Sequence, residues 1–265
     1  MAWSGTKSKV VTAVLGVAVI LAAVAAKLSF FPSVKEAYFA MNERSLQAAP
    51  FGLVVVRPTH FPKAARKGVL WGSAPRFGKP VWRMMGRNVS LQDLFGAAYE
   101  KSADRVVLPA TAPKTNFDFL VTATGDQRQR LQSVLRQKLG LVARTELRDT
   151  EVLELKTNDA SSSRLTVSAA ASEDVHLDNG KLHFTHVRVQ DLLRGLEQVT
   201  KLPVVDKTTL TNYYDFSVDW GPQMMRQLQN EATAADAVKK ILDDLGLTLE
   251  PDEDQTEMLV VKSAT

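Results

Sequence analysis

Apolar positions along the chain switch between two spacings in a fixed order, and the same order occurs twice. Leu91, Leu94, Phe95, Ala98 and Tyr99 recur at helical spacing behind Ser90, a capping residue. Phe117, Phe119 and Val121 then alternate as in a strand with one buried face. Leu131, Val134, Leu135 and Leu139 return to helical spacing over 127–139, with Gly140 placed to end the helix. Leu141–Leu147 and Val152–Thr157 read as two strands around an Arg148-Asp149-Thr150-Glu151 turn.

Further on, the chain repeats the programme. Val187-Arg188-Val189-Gln190-Asp191-Leu192 answers Val89-Ser90-Leu91-Gln92-Asp93-Leu94. Tyr213-Tyr214-Asp215-Phe216 answers Asn116-Phe117-Asp118-Phe119, and Leu245-Gly246-Leu247 answers Leu139-Gly140-Leu141. Glu257-Met258-Leu259-Val260-Val261 answers Glu151-Val152-Leu153-Glu154-Leu155. Matched segments in one order predict a duplication. The second copy reads as a hairpin over 176–187 turning at Asn179-Gly180, a helix over 190–200, strands over 203–206 and 214–220, a helix over 232–245, and strands over 247–250 and 257–261. An insertion at 221–230 has no counterpart. The expected class is α+β: an N-terminal transmembrane helix followed by two tandem duplicated β-α-β-β-α-β-β domains.

The anchor expectation comes from residues 1–32. Lys7 and Lys9 precede a run free of charge from Val10 to Ala26, and Leu28, Phe30 and Phe31 extend it past Lys27. A helix from Val10 to Phe31 would be about 33 Å long, enough for a bilayer core of roughly 30 Å. Gly16, Ala18, Ala22 and Ala26 would offer a small-residue stripe to a neighbouring helix. Ala23-Val24-Ala25 also fits the cleavage box of a signal peptide. The organisation expected is an anchor (1–32), a tether (33–50), a first repeat domain (51–158) and a second (159–265). The placement expected is the bacterial inner membrane, single-pass, with the N-terminus cytoplasmic and the bulk of the chain periplasmic.

Charge and composition sharpen this picture. The formal charge of +4 divides into +12 over 1–158 and −8 over 159–265. From Arg57 to Arg87 there are eight Lys/Arg and no acid, interleaved with Phe61, Trp71, Phe77 and Trp82. Pro and Gly punctuate this segment, which therefore reads as mostly loop with short strands around 69–71 and 81–85. Lys27, Phe30, Phe31, Arg57, Arg66, Lys67, Trp71, Arg76, Trp82 and Arg83 are the expected contacts to membrane or partner. The absence of cysteine excludes disulfides and thiolate metal sites.

No phosphate loop, nucleophile elbow or zinc-binding helix is legible, so no catalytic, cofactor or metal residues are assigned. The Asn179-Gly180 turn would set His176 opposite His183, but His186 falls at odd spacing from His183 and faces the other way. These read as ordinary half-exposed sheet histidines. Asp118 and Asp215, at matched positions, read as structural carboxylates that satisfy a backbone amide or a base.

Leu202-Pro203-Val204-Val205-Asp206-Lys207-Thr208-Thr209-Leu210-Thr211, Tyr214 through Trp220 and Leu245 through Val261 carry a resemblance. The chain from about residue 50 to 262 resembles an uncharacterised family of membrane-anchored or exported proteins abundant in acidobacteria and other soil bacteria. That resemblance implies no activity. Each unit is also similar in element order to the short N-terminal domain of secretins and TonB-dependent receptors, which implies a protein-docking module. The functional expectation is a non-catalytic accessory or scaffold subunit of a larger integral membrane complex, touching the lipid bilayer, such as a photosynthetic reaction-centre and light-harvesting assembly. No nucleic-acid partner is expected, and no small-molecule substrate is identified. The alternative is an envelope receptor that binds a peptide or small ligand.

Overall fold

The structure is a computed structural model that describes residues 35–62, 65–76, 79–158, 164–219 and 221–264. Two compact units emerge, and neither is a continuous stretch. Among the described residues the first comprises 35–99, 109–142 and 262–264, the second 100–108 and 143–261.

The first unit is built on an antiparallel sheet. Its strands are β1 (Val54–Pro58), β2 (Gly68–Arg76), β3 (Lys79–Val89) and, after a short β4 (Val106–Val107) that belongs to the second unit, β5 (Phe117–Val121). Their order is β1-β5-β3-β2. Alternation assigns Val55, Leu120 and Met85 to one face, because Val55 pairs with Leu120 and Leu120 with Met85. Phe39 and Leu46 cover that face, so the segment expected as a tether is part of a core. Leu46 lies on α1 (Glu43–Ala48), whose first turn is capped by Asn42, the side-chain oxygen accepting from Ser45 N at 2.8 Å. The alternate residues Val56, Phe119, Val121 and Met84 are equally buried. They fall to the side where α2 (Leu91–Tyr99) and α3 (Gln127–Leu139) lie, through Leu94, Phe95, Leu131 and Leu135.

The second unit holds two sheets. Strands β7 (Thr166–Val167), β8 (Asp174–Asp178), β9 (Lys181–Val187) and β11 (Tyr214–Asp219) form one, in the order β7-β11-β9-β8. Its core face, Phe184, Phe216 and Val218, is closed by α4 (Val189–Thr200) and α6 (Glu231–Leu245), with Val238 and Leu242 at the centre. The expected insertion forms α5 (Pro222–Gln229), Pro222 occupying the first helical position. The other sheet has the order β10-β6-β12-β4, with β10 (Val204–Asp206), β6 (Leu141–Thr157) and β12 (Leu247–Ser263).

Three expectations are corrected. First, the chain does not form two tandem self-contained domains. Residues 100–108 leave the first unit to run parallel with β12, Leu259 opposite Val106, while β10 runs parallel with β6, Leu153 opposite Val204. Arg105 fixes the crossing: Nε meets Glu197 Oε1 at 2.6 Å, Nη1 donates to Thr256 Oγ1 at 2.9 Å and Nη2 to Val204 O at 2.8 Å. Secondly, the two local hairpins expected at 141–157 and 247–261 are continuous strands of seventeen residues. They run antiparallel to each other, with Asn158 N bonded to Gly246 O and Ala264 N to Gly140 O. Thirdly, the single-pass inner-membrane placement does not stand. Among the described residues no helix is long and apolar enough to cross a membrane. The expected anchor, with Gly16, Ala18, Ala22, Ala26, Lys27, Phe30 and Phe31, lies outside the described residues.

Candidate functional site

The basic and aromatic segment is the one stretch that sequence singled out for contact, and the structure sorts its members by strand parity. Arg83 and Trp82 are neighbours on β3 and so point to opposite faces. Arg83 is 1% exposed and turns inward to the end of α1. Its Nη1 donates to the carbonyls of Leu46 at 2.8 Å, Gln47 at 3.0 Å and Ala49 at 2.6 Å, and the guanidinium sits 4.1 Å from the Phe51 ring centroid. A cation at a helix C-terminus answers the carbonyl dipoles there. Burial pulls its pKa below the usual arginine range.

Arg57 is likewise internal. Its Nε meets Asp118 Oδ2 at 3.3 Å and its guanidinium covers Phe39 at 4.6 Å. The other oxygen of Asp118 accepts from Asn88 N at 3.0 Å, as Asp215 accepts from His186 N at 2.9 Å. Both amides belong to residues with positive φ beside irregularities in the strand register. The matched carboxylates are therefore braces for β-bulges. Arg76 stacks at 4.9 Å on Phe51. Arg66 and Lys67 are exposed, and the Arg66 carbonyl accepts from Arg87 Nε at 2.7 Å. Thus Arg57 and Arg83 are not surface contacts.

Trp71 and Trp82 lie at the surface. They are 42% and 66% exposed. On the β2–β3 hairpin Trp71 pairs with Met84 and Ser73 with Trp82, so both indoles lie on one face. That face continues into a groove of about 410 Å³ lined by Trp71, Trp82, Met84 and 125–128. The start of α3 makes the far wall. Asp126 caps it, its Oδ1 accepting from Gln129 N at 3.0 Å. The buried Gln127 amide donates to the carbonyls of Trp82 and Ala123, tying helix to strand. The Arg128 guanidinium lies 5.4 Å from the Trp71 ring centroid, within cation–π range. The groove therefore combines aromatic walls with one carboxylate and one guanidinium. Sequence had no means of finding Met84, Asp126, Gln127 or Arg128, since Gln127 is 45 positions from Trp82 and reads only as the first turn of an amphipathic helix.

The histidines take the places expected from the turn. His176 and His183 are in register, with ring centroids 5.1 Å apart. Each is already engaged, His176 Nδ1 with Asp174 Oδ2 at 2.8 Å and His183 Nδ1 with Ser217 Oγ at 2.9 Å. His186 stacks on Tyr213 instead, at 3.9 Å. Among the described residues no three His, Asp or Glu side chains converge as metal ligands.

No curated protein matches the chain, and no solved structure does. A family model described as "Protein of unknown function (DUF3738)" matches residues 70–264, from the β2–β3 hairpin to the end of β12, and the chain belongs to that family.

Proposed function

We propose that the chain is a non-catalytic docking protein that grips a partner protein through the Trp71–Trp82 groove. The observation that carries this reading is the pair of tryptophans held in the open on one sheet face. Single exposed apolar residues are ordinary, whereas two large aromatic rings that share a groove mark a binding surface. Tryptophan and arginine dominate the energetics of protein interfaces, because a rigid ring buries much area at little entropic cost. Here the rings come already fixed by a nine-residue strand against an eleven-residue one. The groove suits an apolar or aromatic side chain of the partner, with Arg128 and Asp126 at its polar rim.

An accessory or scaffold role in a larger assembly follows from docking alone and requires no reaction at this site.

The test is recovery of a partner. Tagged full-length chain from its native cells, compared with a Trp71→Ala/Trp82→Ala variant of unchanged circular dichroism and melting temperature, should retain a stoichiometric partner that the variant loses. Recovery of the chain alone, or of the same partner with both proteins, would overturn the proposal.

A further inference from the structure

The β8–β9 hairpin in the second unit carries a different surface, which goes beyond the Trp groove. Among the described residues β8 is the outermost strand of its sheet, with no neighbour beyond it. All five of its residues are exposed. Asn179 and Gly180 both have positive φ, 48° and 76°, which makes the connection a two-residue type I′ turn. In such a hairpin the residues flanking the turn, Asp178 and Lys181, form a hydrogen-bonded pair, and bonded and non-bonded pairs then alternate. Asp174, His176 and Asp178 thus spend their backbone groups on β9. The N–H and C=O of Val175 and Leu177 point outward.

The side chains follow the same alternation. Val175 and Leu177 pair with Phe184 and Leu182, so they continue the core face of the sheet past the point where helices cover it, and are 47% and 61% exposed. Asp174, His176 and Asp178 occupy the opposite face, and Glu173 precedes them. The edge therefore reads acid, apolar, His, apolar, acid.

A second copy of this strand is a poor occupant. Antiparallel pairing centred on His176 would set Asp174 against the Asp178 of the other copy, and like charges directly opposite are destabilising. Charge complementarity selects a different strand. From these features we infer that β8 is a strand-addition site for an extended segment of another protein in which Lys or Arg alternates with apolar residues. Its cations would face Asp174 and Asp178, its apolar side chains would extend the Val175–Leu177 face, and its backbone would bond the outward groups of Val175 and Leu177.

Full-length protein titrated with an end-capped peptide alternating Lys and Val tests this. A peptide with the same residues in two blocks and a peptide alternating Glu and Val serve as controls. The Lys/Val alternating peptide should bind at least about tenfold tighter than either control and slow hydrogen exchange at the Val175 and Leu177 amides. Val175→Pro removes an outward N–H while leaving every bond to β9, and should abolish binding. Asp174→Lys/Asp178→Lys should reverse the preference toward the Glu/Val peptide, and it remains decisive if the proline variant unfolds the hairpin. Equal affinity for the two Lys peptides, binding without protection of those amides, or self-association through β8 would overturn the inference.

Discussion

Gly86 sits where the fold leaves no room for a side chain. It faces Phe119 across the β3–β5 ladder, and a Cβ built there would run into the Phe119 ring. Phe119 is fully buried and cannot swing aside. Gly86→Ala should therefore cost about 2 kcal/mol in urea denaturation, from overpacking alone. Phe119→Leu in the Gly86→Ala background should restore part of it, so that the double variant is more stable than the sum of the two single losses predicts. Other residue-scale features were legible beforehand. Asp118 and Asp215, equivalent by pattern, proved to be braces for positive-φ amides. Arg57 and Arg83 were not legible, because parity says only that Arg83 opposes Trp82. Which face is covered depends on Phe39 and Leu46, residues from the segment read as a tether.

Element by element, the sequence succeeded where a turn needs a particular backbone and failed where a turn was inferred from polarity. Asn179-Gly180 can take the two positive φ values of a tight hairpin, and does. Arg148–Glu151 and Pro251–Asp254 contain no glycine and none of their residues has positive φ, so β6 and β12 run straight through. The β2–β3 hairpin was legible only as short strands around 69–71 and 81–85, for the converse reason: proline and glycine there suggested loop, yet Pro75 pairs with Pro80 near the hairpin's end and Gly72 makes room for Leu46. The crossing of 100–108 left no local signal. It is held by Arg105 on Glu197, whose side chain is nearly buried and whose Oε1 also accepts from Val204 N at 3.0 Å. Arg105→Ala strips that carboxylate of its cation and should cost about 3 kcal/mol. Glu197→Gln keeps an acceptor for Val204 N and should cost about half as much. Equal denaturation midpoints for Arg105→Ala and wild type would show that the crossing is held by strand pairing and not by this network.

On the scale of the whole molecule, the uneven charge takes a definite form in the second unit, where several acids are engaged by specific partners. Asp215 is held below the usual carboxylate range by the Ser168 hydroxyl and the His186 amide. Asp254 is lowered by Lys207 and the Gln255 amide, and Glu257 by Lys101. Lys207 is raised by its hydrogen bond to Asp254, and Lys156 by hydrogen bonds to Glu154 and Glu250. A carboxylate whose folded pKa is depressed contributes stability that is complete above its unfolded pKa and is lost as pH falls through the folded one. A lysine whose pKa is raised contributes below its unfolded pKa and loses that contribution as pH rises through the folded one. Together these groups predict a plateau of stability from about pH 5 to about pH 10, bounded by the ordinary carboxylate and lysine values of roughly 4 and 10.4. Denaturant midpoints should match at about pH 7 and about pH 5 and fall steeply below about pH 4. The acid limb should be shallower in Asp215→Asn, since amide and carboxylic acid both lack the charge that Ser168 and the His186 amide stabilise. An acid limb as steep in Asp215→Asn as in the wild type would show that this carboxylate carries none of the charge-linked stability.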